Sequence, residues 1–595
     1  MSNAPLRPAT AGEAPDPDAP AAGFATRRPA GHPAAGASAV PPRGVPFRAA
    51  AEPIRARRRL FTAAVTLLTL LLLAAAWPVL APGGWTVWEV LIALCLLFNA
   101  PWLALSAATG LVGFALRLGS RDPVAAVLPQ LHHAPRDAPI TLHTAVAACI
   151  RSEKMDAVVA PLDRLLRGLD AAGAGDRFTV WLLSDTSDPA HAAVEEAAVA
   201  AFAAAHPPGR VRYRRRAQNT GFKAGNVMEF LDHHAGEAAL MLSWDADSTM
   251  NAPAVLQLVR VMQADPGLAI VQPTIAARAP ASRFAALFGL GHRAGSRIWA
   301  TGQAWWQGDE GPFWGHNALL RIAPFREHAR LDLLPDGAHI LSHDHVEAAR
   351  LHGAGWKVRV LPDDHGSRDT QPPNLPEFLG RDARWLAGNL QYRFLLRRQD
   401  LGPLGRFQML QAILHYALTP FWFAILPLAA LNAATGGGAT TPRGALLFLL
   451  ALWFVALHLP KLLGYVEDLI QSRHTRLYGG RLAYAGAALG EMVFTQLFDP
   501  LIALQKTTNI ARAVAASLMP HRRTAWATQH RQARRIGWAE AARLYWPHTL
   551  LGLALAATFA AASPVVALLA LPAYAGLLVA IPFCVLTAVP LPPRP

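Results

Sequence analysis

The chain has 595 residues, 53% of them apolar and only 16% charged, with a formal net charge of +15. That length calls for more than one structural region, and so apolar a composition excludes an ordinary soluble enzyme and indicates an integral membrane protein. The basic excess lies beside the apolar runs, where it orients a membrane protein, so no nucleic-acid partner is expected; three cysteines, with Cys95 and Cys584 inside apolar runs, offer no disulfide framework or metal knuckle.

Residues 1–54 are dominated by Ala, Pro and Gly without apolar periodicity and are expected to form a disordered cytoplasmic tail. No secretory leader is expected, because the first long apolar run starts near residue 60 and is of full membrane length. Arg55, Arg57, Arg58 and Arg59 precede the uncharged run Leu60 to Ala81, which at about 1.5 Å per residue crosses a hydrocarbon core of about 30 Å. The basic cluster places this end in the cytoplasm. A second uncharged run, Val90 to Leu116, returns the chain to Arg117 and Arg121. Residues 55–118 thus read as two transmembrane helices, followed by a cytoplasmic region.

From 119 to 405 short apolar strands alternate with Ala-rich helices. Strands are predicted at 144–150, 178–184, 211–215, 240–244, 269–273 and 357–361, with helices near 155–172, 190–204, 223–233 and 253–263. This alternation predicts an α/β domain on a mainly parallel sheet, with ligands at the carboxyl ends of its strands. From 406 to 595 the membrane pattern resumes: Leu410 to Ala433, Ala445 to Pro460, and an uncharged stretch from Thr549 to Pro593 long enough for two passes with a turn near Pro572. Segment 482–519 carries Glu491 and Asp499 and has basic flanks, which favours an interfacial or re-entrant segment, with a pair of short crossings as the alternative. The count is therefore six to eight spans. The basic loop 520–546 is expected on the anionic inner leaflet.

Several motifs in the α/β region carry chemistry. Asp245-Ala-Asp247 follows the strand Leu240 to Trp244, where two carboxylates suit Mg²⁺ or Mn²⁺ bridging a diphosphate; a surface turn is the bland alternative. Asp185 closes another strand and reads either as a helix cap or as an acceptor for a base or ribose. Gly221, Lys223, Gly225 and Asn226 precede a helix, an arrangement that suits a diphosphate, although glycine-rich loops are often only turns. Asp344, within His343-Asp-His345, has three readings: helix cap, metal ligand or general base, with metal ranked lowest. Arg384 and Trp385 offer a guanidinium for phosphate oxygens and a flat ring for a sugar, or else one interfacial amphipathic helix.

The order of these motifs, flanked by membrane spans, resembles the membrane-integrated, processive family-2 glycosyltransferases, whose catalytic domain has a GT-A (Rossmann-like) fold. Within them the chain looks most like the bacterial inner-membrane branch that makes osmoregulated periplasmic glucans. The segments that carry this are Phe313-Trp-Gly-His-Asn-Ala318, Leu341-Ser-His-Asp-His-Val-Glu-Ala-Ala349, Gly355-Trp356, Pro372-Pro-Asn-Leu375 and Arg381-Asp-Ala-Arg-Trp-Leu-Ala-Gly-Asn-Leu-Gln391. The resemblance implies UDP-glucose as donor, inversion at the anomeric carbon, and a growing β-1,2-glucan exported to the periplasm. It implies that Asp185 contacts uridine, that Asp245 and Asp247 hold the UDP phosphates with Mg²⁺ (or Mn²⁺), and that Asp344 is the base. Arg384 and Trp385 would hold the diphosphate and acceptor sugar, and His316 and Asn317 the acceptor-side floor. Lys223, Asn226, Glu153 and Arg381 complete the expected substrate-binding set. Arg381 stands where the broad family has Gln, Ser342-His343-Asp344 where it has Thr-Glu-Asp, and Ser152-Glu153 where it has Asn-Glu. The resemblance also allows an acyl carrier protein and a periplasmic glucan-processing protein as partners, besides membrane lipids. A transporter without transferase activity, and a transferase adding single sugars to a lipid, are the rival readings; the first would need intramembrane charges, of which the secure runs have almost none.

Overall fold

The computed structural model describes residues 52–472, 474–517 and 533–592. The expected disordered tail up to residue 51 and the basic stretch 518–532 lie outside the described residues. The chain enters through α1 (Glu52–Leu80) and α2 (Val87–Gly119). Helix α2 opens on a capping box in which the Thr86 hydroxyl accepts from the Glu89 N–H and the Glu89 carboxylate accepts from the Thr86 N–H.

After a short α3 (Pro123–Val127) come β1 (Thr144–Ile150), α4 (Met155–Ala171), β2 (Phe178–Ser184), α5 (Pro189–Ala204), β3 (Val211–Arg215), α6 (Phe222–His233) and β4 (Leu240–Asp245). Next are β5 (Thr249–Met250), α7 (Ala252–Ala264), β6 (Leu268–Pro273), β7 (Ala276–Ala277), α8 (Arg283–Gln307), β8 (Ala318–Arg321) and α9 (Ile322–His328). The region closes with α10 (Asp344–Gly353), β9 (Lys357–Leu361), β10 (Ser367–Asp369) and α11 (Leu375–Gln391). Seven strands form one sheet in the order β3-β2-β1-β4-β8-β6-β9, and β5, β10 and β7 form a second, three-stranded one. Strand β1 runs parallel to both β2 and β4, whereas β8 is antiparallel to β4 and β6. A four-residue strand such as β8 is too short to leave a periodic signal, which is why it was not expected.

Along β1, Val146, Ala148 and Ile150 pack with Val158 and Leu162 of α4 and with Val255 and Val259 of α7. The alternate residues Ala145 and Ala147 pack on the other face with Phe230 of α6, Phe325 of α9 and Leu351 of α10. The central strands are therefore buried on both faces, as an α/β sheet requires.

The remaining helices are α12 (Pro403–Ala417), α13 (Thr419–Ala434), α14 (Arg443–Gln471), α15 (Arg481–Ser517), α16 (Trp538–Ala562), α17 (Pro564–Leu578) and α18 (Ala580–Thr587). Among the described residues six helices are long and apolar enough to cross a membrane, and α17 with α18, bent by 57°, would make a seventh. The chain is a multi-pass membrane protein. Two expectations change. Segment 482–519 is neither a re-entrant turn nor two short crossings, because α15 runs unbroken from Arg481 to Ser517. The turn expected near Pro572 lies instead at Ser563–Pro564, where Ser563 is extended (φ −169°) and Pro564 starts a helix with the φ that proline already has. Pro572 is tolerated within α17.

Helix α8, which the sequence pattern did not reveal, joins the two parts. It packs on α2 so closely that a Cβ at Gly113 would strike the Ile298 carbonyl, and one at Gly302 the Thr109 carbonyl. Small residues permit this backbone approach. From α1, Arg58 donates to the Trp306 carbonyl (3.1 Å) and to Glu310 (2.9 Å), tying the first span to the end of α8.

Candidate active site

The carboxyl ends of β1, β2 and β4 form one edge of the sheet. The Asp185 N–H donates to the Ile150 carbonyl (2.9 Å), so the residue after β2 is held against the end of β1. The Asp185 carboxylate receives a two-pronged ion pair from Arg216, whose Nη2 lies 2.9 Å from Oδ2. The same guanidinium donates to the carbonyls of Thr220 (2.8 Å) and Phe222 (2.7 Å). Asp185 therefore anchors, through Arg216, the loop that leads into α6. Asn226, fully buried one turn into α6, donates to the Leu183 carbonyl (3.1 Å). Glu153 lies in the turn after β1, beside Ser152, whose N–H donates to the Thr186 hydroxyl (2.7 Å) and to Glu195 (3.1 Å).

Lys223 spans to the next strand. Its ammonium pairs with Asp245 and donates to the Gly315 carbonyl (2.8 Å). Burial, the largest influence, lowers its pKa, but the charge and hydrogen bond of Asp245 with the charges of Cys149 and Glu347 together outweigh it and raise the Lys223 pKa above its ordinary value. Gly315 belongs to a turn that only its own backbone freedom permits, with φ +86° there and +51° at Asn317. Ser243 of β4 fastens this turn, accepting from the Asn317 N–H at its carbonyl (2.8 Å) and donating from its hydroxyl to Gly315 (2.8 Å). The Asn317 side chain, itself buried, donates to the Ser367 hydroxyl (3.1 Å).

Asp344, the first residue of α10, lies on the other side of the same turn: a Cβ placed on Gly315 would sit 3.6 Å from the Asp344 Cβ and 3.8 Å from its Oδ2. Burial raises the Asp344 pKa, yet His345, with Nδ1 3.6 Å from Oδ1, and His343 reverse this and hold the carboxyl far below the usual range. His343 donates to Glu347 across one helical turn (2.8 Å); burial, the largest influence, lowers its pKa, and the charge and hydrogen bond of Glu347 with the charge of Asp344 together more than compensate, so the imidazole is held above its ordinary value. Lys223, Asp245, the Gly315 turn and Asp344 are thus one contiguous group.

Asp369 was not among the expected residues. Strand β10 pairs antiparallel with β5, Arg368 opposite Thr249. That register brings Thr370 against Asp247, and its hydroxyl donates to Oδ2 (2.6 Å) from 123 residues away in sequence. Asp369 is pushed up to about 7 by burial and by the charges of Asp247 and Asp245, with His316 (3.8 Å) acting in the opposite sense. His316 also faces the Ser248 hydroxyl (3.4 Å). No sequence signal marks Asp369, because only the pairing of two very short strands brings it here. Three carboxylates that raise one another's charge cost, all hard oxygen donors, fit a divalent cation even beside Lys223 and His316. Among the described residues the ligand atoms that already converge within 4.8 Å belong instead to Asp363, Asp364 and His365. Asp364 is committed there to Arg293 (2.7 Å), so that group reads as an ion pair at the end of β9.

Arg381, Arg384 and Trp385 lie on α11, which is capped by Asn374. The Arg381 guanidinium stacks 4.6 Å above the Trp385 ring, which is 46% exposed, and burial lowers the Arg384 pKa. Helix α11 reaches the Asp344 segment near its carboxyl end. A Cβ at Gly388 would collide with Ser342, Gln391 accepts from the Leu341 N–H (2.9 Å), and the Tyr392 hydroxyl donates to the Ser342 carbonyl (2.9 Å).

Residues 241–465 match the model of glycosyl transferase family group 2. The chain is 31% identical over 542 residues to glucans biosynthesis glucosyltransferase H of Xanthomonas campestris pv. campestris, covering 86% of this chain and 82% of that protein. The protein of that name in Caulobacter vibrioides is 32% identical over 86% of this chain and 79% of its own length. The chain belongs to the glucans biosynthesis glucosyltransferase H family. It is a glycosyltransferase with a GT-A catalytic region and a multi-pass membrane part. Among solved structures, a mannosyltransferase from Pyrobaculum calidifontis in complex with GDP-Man and Mn²⁺ is similar at 15% identity and a TM-score of 0.36, covering 61% of this chain and 99% of that one.

Proposed function

We propose that this chain is an inverting, processive glucosyltransferase that takes glucose from UDP-glucose, extends a β-1,2-linked glucan and exports it to the periplasm. It would sit in the bacterial inner membrane with the catalytic region on the cytoplasmic side. The observation that carries the reading is the placement of Asp344 across the Gly315 turn from the Lys223–Asp245 pair, so that a base faces a diphosphate-binding edge.

In this reading Asp344 accepts the proton of the acceptor hydroxyl on a carboxylate oxygen. The acceptor oxygen then forms its bond to the anomeric carbon as the bond to UDP breaks, and the electron pair leaves on the diphosphate. The low pKa of Asp344 keeps it ionised and ready at any working pH. Lys223 and Arg384 supply positive charge to the departing diphosphate, Asp185 with Asn226 and Glu153 shape the nucleotide side, and His316 with Asn317 floor the acceptor side. Arg381 backs the Trp385 ring, which offers its face to the acceptor sugar. Asp245 and Asp247 would hold Mg²⁺ or Mn²⁺, which when bound neutralises diphosphate charge.

The test is UDP release and product sizing from the purified full chain in detergent, supplied with UDP-glucose and Mg²⁺, beside Asp344→Asn. A long β-1,2-glucan that disappears in the variant is expected. A product limited to one glucose on a lipid would replace the polymerase reading, and no UDP from any common UDP-sugar would end the transferase reading.

A further inference from the structure

Helix α11 also carries a buried charge, next to Arg381 in the sequence. Asp382 is 4% exposed, and its neighbours come from two other helices. Lys506 of α15, 8% exposed, places its ammonium 3.4 Å from Asp382 Oδ1 and 3.2 Å from the His415 Nε2 of α12. The same ammonium lies 4.8 Å from the centre of the Tyr416 ring, and the Tyr416 hydroxyl lies 3.4 Å from the same Asp382 oxygen. The second oxygen of Asp382 has no hydrogen-bond partner among the described residues. One ion pair therefore carries most of the compensation for burying this carboxylate.

Helix α15 is itself fixed further back. Glu491 accepts from Lys461 of α14 (2.8 Å) and from the Tyr465 hydroxyl (2.5 Å), and α8 approaches it so closely at Gly291 that a Cβ there would strike the Glu491 carboxylate. A continuous helix thus has one polar anchor on α14 and a second on α11.

We infer that Asp382 and Lys506 are positioning residues, a clamp through which α15 sets the location of Arg384 and Trp385 relative to the Asp245 edge. The inference rests on the transferase reading only for its catalytic consequence; the placement of α11 is tested without it. A buried pair is weak evidence for stability, and positional specificity is the better-attested use of one. Removing one partner leaves the other charge buried and unpaired, so α11 shifts or loosens while β4 and the 315–317 turn keep their own hydrogen bonds.

Two measurements on the full chain in detergent test this. Hydrogen exchange should rise across 375–391 in Lys506→Met and in Asp382→Asn while 240–247 stays at the wild-type level; unchanged exchange in α11, or an equal rise in both segments, overturns the clamp. With UDP-glucose, the ratio of glucose incorporated into glucan to UDP released should fall at least several-fold in both variants, because a loosened acceptor platform lets water compete. Lys506→Arg, which keeps the charge, should restore most of the ratio, as should the exchanged pair Asp382→Lys with Lys506→Asp. A ratio unchanged in the single variants, or no recovery in either rescue, also overturns it. If Lys506→Met does not fold, Lys506→Arg and Asp382→Glu are compared in the same two assays, with smaller shifts in the same direction expected. Failure of the wild-type protein to release UDP would count against the proposed function and leave the exchange result to decide the clamp.

Discussion

The two halves of the site are held in different ways. At the sheet edge, Asp185, Asp245 and Asn317 are placed by backbone hydrogen bonds and strand register: Cys149 pairs with Asp245 across β1 and β4, and Ser243 fastens the 315–317 turn. On α11, Arg384 and Trp385 are placed by contacts that run from the helix to Ser342, Leu341 and Lys506. Register is shared among many bonds, whereas α11 rests on apolar packing of Leu375 and Phe378 against Phe284 and Phe498 at its start and on a few polar contacts further along, each of which counts. Substitutions at the edge should therefore act through chemistry, and substitutions around α11 through geometry.

Asp344→Asn breaks the comparison most directly. It preserves shape and removes the proposed base, so turnover should fall by about 10²–10⁴-fold with little change in donor binding, as measured by UDP release against UDP-glucose affinity. A loss of ten-fold or less would place the base elsewhere. Arg384→Ala comes next. If the guanidinium meets diphosphate oxygens, a lost charge-assisted bond of about 1.5–3 kcal/mol corresponds to roughly a 10- to 150-fold fall in kcat/KM for the donor. Arg384→Lys should recover only part of it, since a point charge lacks the two-pronged geometry. Full recovery would mean that Arg384 supplies charge alone.

Gly315→Ala sharpens the edge side of the comparison. At φ +86° a Cβ meets only ordinary contacts with Asp344, so the cost is backbone strain, about 1–2 kcal/mol, read as a lower unfolding midpoint. Activity should fall with it, because the same turn carries the Lys223 contact and abuts Asp344. A stable but inactive variant would show that the turn matters for placement more than for folding.

The same contrast explains what was legible in the sequence. Strands 144–150 and 178–184 agree with β1 and β2, because apolar runs closed by polar residues announce buried parallel strands, and 211–215 agrees with the edge strand β3, whose Val211 and Tyr213 alternate with arginines. The acidic residues at their ends could be named for the same reason. Asp369 could not, since its neighbour Asp247 is reached through two strands of two and three residues. Arg216 was missed because a lone arginine after a strand gives no sign that it will grip Asp185 with both prongs. The charges of segment 482–519 point in sequence to a segment that does not cross, yet Glu491 and Lys506 form specific pairs with Lys461 of α14 and Asp382 of α11. Sequence patterns record periodicity within one element, and such pairs join elements far apart in the chain.

The smallest expected effect is a pH dependence. Asp344 and His343 are shifted in opposite senses, so they act in different windows. A carboxyl held below its unfolded value of about 3.9 contributes stability that is present above that value and lost only as the pH falls through its folded pKa, far below any working range. His343 is raised, so its contribution is complete below about pH 6.5 and is lost as the pH rises through its folded pKa. Between about pH 6 and 9 only the second of these moves. The unfolding midpoint of the wild-type protein should therefore decline more steeply across that range than that of His343→Gln, whose amide keeps a donor for Glu347 without a titrating charge. Parallel curves would mean that the His343–Glu347 pair holds no more charge than the unfolded chain does.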